Sequence, residues 1–343
     1  MTFPTSPVQL CEDLREGGNS STWARRASRL RRVHVDAPAV DIAPRWVHTM
    51  HAMADDDAEY FDAYADMSVH KAMLADRRRN EAYKKALALA VAGKVVLDVG
   101  AGTGLLSLFA ASSGAAKVYA VEASPLAELL PAVFTANGFG EDRVVVVRGR
   151  IEDVTLPEKV DVLVSEWMGF HLLHESMLDS VLHARDAFLK PDGIMLPSHA
   201  TVYAAPVNMD AWAADRFDFW QSVESFDMSA FVPSVAQQAL AEPQVTCIQP
   251  GQLLAEPQVV AELDLATISA GELSEIGTRR RYRASRDGIV HGFGLWFTCM
   301  FKPTDVVLST APSARETHWK QTVVLLPEVR ARVTVLCVPC ARV

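Results

Sequence analysis

The sequence predicts an α/β protein with a doubly wound parallel sheet, followed by a second domain built from antiparallel strands. Short β-branched runs alternate with helical stretches from about residue 68 to residue 190, as in parallel sheets covered by helices. After L-P-S at Leu196–Ser198 the stretches become longer and alternate with period two, which is typical of antiparallel strands. The 343 residues, 50% of them hydrophobic, suffice for two such domains.

The elements of the first domain can be predicted in chain order. Residues 1–45 mix Pro, Ser, Arg and Gly without periodicity, and we expect a disordered leader there. The stretch from Ser68 to Ala92 is rich in strong helix formers and stops at Gly93, so it predicts one helix. The strands that follow are expected at Lys94–Val99, Lys117–Val121, Arg143–Arg148 and Val160–Ser165. Residues 46–196 are therefore assigned to a Rossmann-like domain with its N-terminal helices.

The second domain is assigned to residues 197–343, and its alternating apolar pattern predicts a β-barrel-like domain. Alternation is clearest in H-G-F-G-L-W-F-T-C-M-F, from His291 to Phe301. Residues 208–230 interrupt this pattern with D-A-W-A-A-D-R-F-D-F-W, an aromatic-rich helical segment. This segment is either an ordinary core helix or an arm that binds a partner.

Net charge, cysteine spacing and the lack of long apolar runs disfavour several classes of partner and site. The net charge of -9 disfavours a nucleic-acid surface and permits attraction to basic protein tails. The basic cluster Arg25–Arg32 is either a localisation signal or a solvated tail. Five cysteines without framework spacing predict reduced thiols, and the lone C-x-x-C of Cys337 and Cys340 predicts no metal site. Without an apolar run of membrane length or a signal-type segment, we expect an intracellular protein with no membrane contact.

Polar and glycine residues follow each predicted strand of the parallel sheet, where ligands of open α/β sheets bind. The first strand ends in D-V-G-A-G-T-G, which contains Asp98 and three glycines, Gly100, Gly102 and Gly104. The second strand leads to Glu122, a position from which an acid accepts hydrogen bonds from ribose hydroxyls. Glu152 follows the third strand, and Glu166 follows the fourth.

The glycine loop also limits which class of cofactor can bind. A dinucleotide fingerprint G-x-G-x-x-G would need Gly or Ala at Leu105 or at Ser107, and the loop carries no Walker lysine. The loop therefore fits a nucleoside cofactor without a pyrophosphate better than NAD or ATP.

Glu166 and Glu175 lie nine residues apart in S-E-W-M-G-F-H-L-L-H-E-S-M. Paired carboxylates serve as glycosidase acid and base, as metal ligands, or as a cradle for a guanidinium with its fixed donors. Two solvated loop glutamates are the structural alternative. The position beside a predicted cofactor pocket favours a functional pair.

At these residues the chain resembles the protein arginine N-methyltransferases, over roughly residues 58–325. The motifs occur in family order: Y-F-x-x-Y (Tyr60, Phe61, Tyr64), the glycine loop, the double-glutamate loop, and T-H-W (Thr317, His318, Trp319). The stretches Y-A-D-M-S-V-H, Y-A-V-E-A-S and L-L-H-E-S-M look most like the mainly nuclear type I, asymmetric-dimethylating member that methylates histone H3.

The resemblance implies roles for individual residues. Contacts to S-adenosylmethionine are implied for Tyr64, His70, Arg79, Asp98, Gly100, Gly102, Gly104, Glu122 and Glu152. Arg79 would pair with the cofactor carboxylate, Glu122 would hold the ribose and Glu152 would read the adenine. Contacts to the substrate are implied for Tyr60, Met73, Trp167, Met177 and Trp319, and catalytic roles for Glu166, Glu175 and His318. The two glutamates would clamp the substrate guanidinium, and His318 would assist proton departure.

The resemblance further implies arginine-containing protein substrates such as histone tails and glycine/arginine-rich proteins, mono- and asymmetric dimethylation, a homodimer formed through the aromatic arm, and residence in nucleus or cytoplasm. One departure concerns the end of the chain. After T-H-W-K-Q-T only 21 residues follow, and they do not resemble the closing strands of the family barrel, so we expect a shortened C-terminal domain. The competing hypothesis is a catalytically weak scaffold that binds arginine-rich partners.

Overall fold

A computed structural model describes residues 40–41, 67–173, 177–274, 276, 278–326 and 331–333. The first strand, β1 (Val40–Asp41), joins the second domain. The parallel sheet consists of β2 (Val95–Val99), β3 (Lys117–Glu122), β4 (Val144–Arg148), β5 (Val160–Ser165) and β6 (Leu189–Leu196). The strand order is β4-β3-β2-β5-β6, so the chain reverses its direction of growth between β2 and β5. The predicted α/β fold class is confirmed.

The helix expected over residues 68–92 is in fact two helices, and this prediction was wrong. They are α1 (Met67–Ala75) and α2 (Arg77–Ala90). Asp76 between them is extended, and its side chain caps α2 by accepting the Arg79 amide. Aspartate favours such N-cap positions over helix interiors. One apolar face of α2, made of Ala82, Tyr83, Ala86, Leu87 and Ala90, is buried in the core.

The other helices of the first domain are α3 (Leu105–Ser112), α4 (Leu130–Ala136) and α5 (Leu178–Phe188). The helix α3 follows β2, so the glycine loop forms its start. Of the helices that the described residues form, none is long and apolar enough to span a bilayer.

The second domain is an antiparallel sheet. Its strands are β7 (His199–Val207), β8 (Gln244–Thr246), β9 (Gln258–Asp264), β12 (Gly292–Met300), β13 (Val307–Ser309) and β14 (Gln321–Leu325), with β12 at the centre. Two small ladders pair β1 with β10 (Arg279–Arg280) and β11 (Gly288–Val290) with β15 (Ala331–Val333). Alternate residues of β12, Leu295, Phe297 and Cys299, join the core of the first domain. The two domains therefore share one hydrophobic core.

The aromatic segment leaves this sheet as an arm. It comprises α6 (Asp210–Phe217), single 3-10 turns at Asp218–Gln221 and Ser229–Phe231, and α7 (Val232–Ala241). All eight residues of α6 are exposed or half-buried, which does not fit an ordinary core helix. A last short helix, α8 (Ala270–Ser274), follows β9.

Candidate active site

The candidate site lies at the carboxyl ends of the parallel strands, where the strand order reverses between β2 and β5. Open α/β sheets bind ligands in the crevice at such a switch point. The glycine loop follows β2 on one side of this crevice, and Glu166 follows β5 on the other.

The glycine loop has a backbone that other residues rarely adopt. Gly100, Gly102 and Gly104 have φ angles of 69°, 53° and 79°. A Cβ atom at Gly104 would lie 2.8 Å from Cε1 of Phe134, and one at Gly100 would lie 2.5 Å from Cε of Met177. The loop therefore requires glycine for conformation and for space. It also brings Met177, predicted to contact substrate, directly over Gly100.

Glu122, at the end of β3, is held by the main chain. Its Oε2 accepts a hydrogen bond from the Gly102 amide at 2.6 Å, and its Oε1 accepts one from the Ser124 amide at 2.7 Å. The residue is 7% exposed. Each oxygen keeps one lone pair, so the carboxylate can still accept two hydroxyl donors of a ribose.

Asp98 is fully buried beneath the same loop. Its Oδ2 accepts a hydrogen bond from Ser107 Oγ at 2.7 Å, whereas Oδ1 has no partner among the described residues. Burial, followed by the nearby Glu122 charge, raises the pKa of Asp98 to about 7. The Ser107 hydrogen bond ties the Asp98 carboxyl to α3. The cofactor contact of Asp98 therefore remains a prediction.

Arg79 and Glu166 form a buried ion pair across the crevice. Nε and Nη2 of Arg79 both lie 3.0 Å from Oε2 of Glu166, and their side chains are 9% and 8% exposed. Oε1 of Glu166 accepts the Met168 amide at 3.2 Å. Glu166, which is predicted to bind a substrate guanidinium, therefore binds the guanidinium of Arg79, which is predicted to bind the cofactor.

Asp76 is a site residue that the sequence analysis missed. Its Oδ2 lies 2.8 Å from Nδ1 of His318 and accepts the His318 amide at 2.9 Å. Burial works to raise the pKa of Asp76, but hydrogen bonds from His318 and from the Arg79 amide outweigh it and lower that pKa. Because an ionised carboxylate only accepts, Nδ1 of His318 is the donor of this hydrogen bond. The N-cap position before R-R-R was the available signal.

The loop after β5 is anchored from both domains. The Tyr83 hydroxyl donates to the Ser165 carbonyl at 2.9 Å, and Nε1 of Trp319 donates to the Met168 carbonyl at 2.7 Å. Further along, His171 has a φ of 46°. Such a backbone is uncommon outside glycine and occurs often at functional sites. The Trp319 hydrogen bond places this residue against the loop that follows β5, and its substrate contact stays a prediction.

Burial together with the Glu166 charge raises the pKa of the Tyr83 hydroxyl and of the Cys299 thiol. Cys299 is fully buried, and so is the Tyr83 ring. Both groups are therefore neutral around pH 7, which leaves Glu166 and Arg79 as the charged pair of this part of the crevice.

Several other residues predicted for the site lie on α1, in the loop after β5 and near α5. His70 is buried on α1, with Cε1 3.8 Å from the position of a Cβ at Gly102. Met73 is half-buried on the same helix. Trp167 is buried, and its Nε1 has no acceptor within the described part of the chain. Glu152 accepts a hydrogen bond from Ser180 of α5 at 2.6 Å, so its adenine contact stays a prediction. Tyr60, Phe61, Tyr64, Glu175, Cys337 and Cys340 lie outside the described residues, as does the predicted leader except for Val40 and Asp41, which form strand β1 where disorder was expected.

Comparison with known families agrees with this geometry. Residues 96–193 match the model of a methyltransferase domain, and residues 198–335 match the arginine methyltransferase oligomerization subdomain. The chain is 42% identical over 306 residues to "Probable protein arginine N-methyltransferase 6.1" of Oryza sativa subsp. indica, with 80% of each chain covered. It is also 42% identical over 286 residues to "Protein arginine N-methyltransferase 6" of Xenopus laevis, covering 81% of this chain and 84% of that protein.

Solved structures match as well. The Trypanosoma brucei PRMT1 enzyme-prozyme heterotetrameric complex with AdoHcy aligns with a TM-score of 0.70 at 35% identity, covering 79% of this chain and 86% of that one. A crystal structure of PRMT6-SAH aligns with a TM-score of 0.63 at 32% identity, covering 77% and 88%. By sequence and by fold, the chain belongs to the protein arginine N-methyltransferase family.

Proposed function

We propose that this enzyme transfers methyl groups from S-adenosylmethionine to arginine guanidinium nitrogens of proteins, in the crevice between β2 and β5. The observation that carries this proposal is the Arg79–Glu166 pair. Oε2 of Glu166 already accepts a hydrogen bond from Nε of Arg79 at 3.0 Å and lies 3.0 Å from its Nη2, in a largely buried position. A carboxylate that receives an arginine in this way can receive a substrate arginine.

The cofactor fits the first domain. Glu122 would accept the two ribose hydroxyls with the lone pairs that its backbone donors leave. The glycine loop would let the nucleoside approach the backbone, and Arg79 would pair with the cofactor carboxylate. His70 lies beside this loop. Gly100, Gly102, Gly104, Asp98, Glu152 and Tyr64 complete the proposed set of cofactor contacts.

When bound, S-adenosylmethionine supplies an electrophilic methyl group on a sulfonium. The chain's own residues would align the acceptor nitrogen with it and exclude water. Glu166 and Glu175 would hold the guanidinium and concentrate its positive charge on the nitrogens that do not react. His318, oriented through Nδ1 by Asp76, would offer Nε2 to the departing proton.

Substrate contacts are proposed for Tyr60, Met73, Trp167, Met177 and Trp319. Nε1 of Trp167, which has no acceptor among the described residues, suits an acceptor on a bound peptide, since a buried donor costs free energy while it is unpaired. The methionines would shape an acceptor pocket for asymmetric dimethylation. We further propose histone tails and glycine/arginine-rich proteins as substrates, in the nucleus or cytoplasm.

The test is methyl transfer from labelled S-adenosylmethionine to a histone H3 tail peptide and to a glycine/arginine-rich peptide. Mass spectrometry of the product should show mono- and asymmetric dimethylarginine. The same peptides with every arginine replaced by lysine are the control, and they should stay unmethylated. A protein that binds cofactor and peptide but methylates neither would support the scaffold hypothesis.

A homodimer is proposed through the arm. Phe219, Phe226 and Phe231 are 58%, 71% and 50% exposed, and Trp220 contacts the first and last of them. Exposed aromatic clusters of this kind are common anchors of protein interfaces. The arm would dock on the first domain of a second copy.

Sedimentation of Phe226→Ser should then show dissociation into monomers. Val307→Ser, which changes an exposed apolar residue outside the arm, is the matched control and should sediment as the unmodified protein does. An unmodified protein that is monomeric at high concentration would contradict the proposal.

A further inference from the structure

The side chain of Asn80, in the first turn of α2, contacts one group with each end of its amide. Its Oδ1 accepts a hydrogen bond from Nη1 of Arg79 at 3.0 Å. Its Nδ2 donates to the carbonyl oxygen of Leu74, in the last turn of α1, at 2.8 Å. Asn80 therefore connects the end of α1 with the guanidinium that is proposed to bind the cofactor carboxylate.

These two partners determine which residue type suits position 80. A guanidinium only donates hydrogen bonds and a backbone carbonyl only accepts them, so the amide must turn its oxygen to Arg79 and its nitrogen to Leu74. An aspartate could accept from Arg79 but could not donate to Leu74, and an aliphatic side chain could do neither. Asparagine is a poor helix former. Its presence in α2 is therefore explained by these contacts and not by helix formation.

Asn80 adds a second point of attachment to the Arg79 guanidinium. Nε of Arg79 donates to Oε2 of Glu166 at 3.0 Å, and Nη2 lies 3.0 Å from the same oxygen. Contacts to a single acceptor atom leave the planar group free to pivot about that atom. Asn80 instead holds Nη1, the other terminal nitrogen. Together the two residues fix the orientation of the guanidinium plane.

This arrangement leaves donors for a carboxylate. A guanidinium carries five N–H groups, two of them on each terminal nitrogen. Among the described residues, Nη1 donates one N–H to Asn80, and at most one N–H of Nη2 points at Oε2 of Glu166. These partners leave one N–H on each terminal nitrogen of Arg79. A bidentate carboxylate requires two such donors.

We propose that Asn80 is a positioning residue, which orients the Arg79 guanidinium so that its remaining N–H groups receive the carboxylate of S-adenosylmethionine. This inference rests on the proposed function, from which it takes the cofactor and its pairing with Arg79. The benefit is preorganisation, because a long side chain that is already ordered does not have to be ordered when the ligand binds. Asn80 acts through Arg79, so its replacement should reduce only the part of cofactor affinity that comes from the carboxylate.

The test compares two ligands in the unmodified protein and in Asn80→Leu. The ligands are S-adenosylhomocysteine and 5′-(3-aminopropylthio)-5′-deoxyadenosine, which is the same compound without its carboxylate. Leucine forms helices better than asparagine and makes neither hydrogen bond. Calorimetry gives the two dissociation constants, and their ratio, the carboxylate preference, isolates the contribution of that group.

The carboxylate preference of Asn80→Leu should be about three- to tenfold smaller than that of the unmodified protein, as expected when one long side chain must be ordered on binding. The decarboxylated compound should bind both proteins with affinities that agree within about twofold. Asn80→Ala, which removes the same two hydrogen bonds with a smaller side chain, should show the same loss. Glu81→Leu, at the exposed next position of α2, is the matched control and should keep the full preference.

Arg79→Met provides the second arm of the test. Methionine removes the guanidinium, so adding Asn80→Leu to Arg79→Met should change the carboxylate preference by less than about twofold. The proposal would be overturned if Asn80→Leu weakened both ligands equally, left the preference unchanged, or lowered it as much without Arg79 as with it. An unmodified protein that binds neither compound would overturn the proposed function together with this inference, which separates the two failures.

Discussion

Glu122 ends one strand of the parallel sheet and Glu166 follows another, and both carboxylates are largely buried, but different groups hold them. Two backbone amides fix Glu122, one from the glycine loop and one from the turn after β3. A side chain, that of Arg79, holds Glu166 together with one backbone amide. A backbone donor cannot leave without moving the chain, whereas a side chain can change its partner. The Glu122 side of the crevice, proposed to bind the cofactor, is thus a preformed end, and the Glu166 side, proposed to bind arginine, is an exchangeable end.

The largest effect is expected at the exchangeable end. Glu166→Gln should lower the methylation rate by about 30- to 900-fold, because losing one charge-assisted partner costs about 2 to 4 kcal/mol through binding and alignment. Glu175→Gln should have a similar effect. S-adenosylhomocysteine affinity, measured by calorimetry, should be nearly unchanged in Glu166→Gln, since the glutamine oxygen can still accept from Arg79.

Glu141→Gln, an exposed change, is the control and should methylate as the unmodified protein does. Near-normal methylation by Glu166→Gln would contradict the clamp. Joint loss of cofactor binding and activity would show instead that this loop is structural.

At the preformed end, Glu122→Ala should weaken S-adenosylhomocysteine binding by roughly 10- to 100-fold, because the ribose loses its acceptors and two buried amides lose theirs. Calorimetry checks this expectation. Glu122→Gln keeps one carbonyl acceptor and should bind with intermediate affinity. Unchanged affinity in both variants would mean that the ribose lies elsewhere.

Asp98 allows the stability of the preformed end to be measured apart from ligand binding. Its pKa of about 7 lies above the ordinary aspartate value, so the folded state holds a proton that the unfolded state has already lost. Stability should therefore fall as the pH rises through 7, by about 1.4 kcal/mol between pH 6 and pH 8. Asp98→Asn should lack this loss.

Denaturant unfolding of the cofactor-free protein at both pH values measures the difference. The stability of Asp98→Asn relative to the unmodified protein should increase by that amount on going to pH 8. Asp153→Asn, at an exposed position, should show no such change. A difference that is the same at both pH values would argue against a protonated Asp98.

The smallest effect is expected at Asp76, which serves α2 and His318 together. Asparagine is as good an N-cap as aspartate, so Asp76→Asn should retain nearly normal stability while losing about tenfold in kcat. Asp76→Ala should also lose about 1 kcal/mol of unfolding free energy. Thermal unfolding and steady-state rates distinguish the two roles. Equal kcat in Asp76→Asn and the unmodified protein would restrict Asp76 to capping.

The sequence predicted the parallel sheet because its strands are buried, β-branched and separated by helices, so local composition and fold agree. It did not predict the break at Asp76, because strong helix formers flank that position and conceal the cap. The pairs Arg79–Glu166 and Asp76–His318 join residues 87 and 242 positions apart. No local pattern encodes such contacts. Likewise, the sequence did not predict that the arm continues to Ala241, because helix α7 lacks the aromatic residues that marked the beginning of the arm.

The double use of the Asp76 carboxylate has a consequence for how the protein matures. A chain that emerges from its N-terminus completes the start of α2 long before it reaches His318, 242 residues later. Until then Oδ2 of Asp76 lacks its two donors, and the backbone at the start of α2 depends on Oδ1 alone. A nascent chain that has formed only the first domain thus carries an unfinished active-site helix. Both Asp76 oxygens are engaged as the structure shows them only once His318 has been made and has docked on α2.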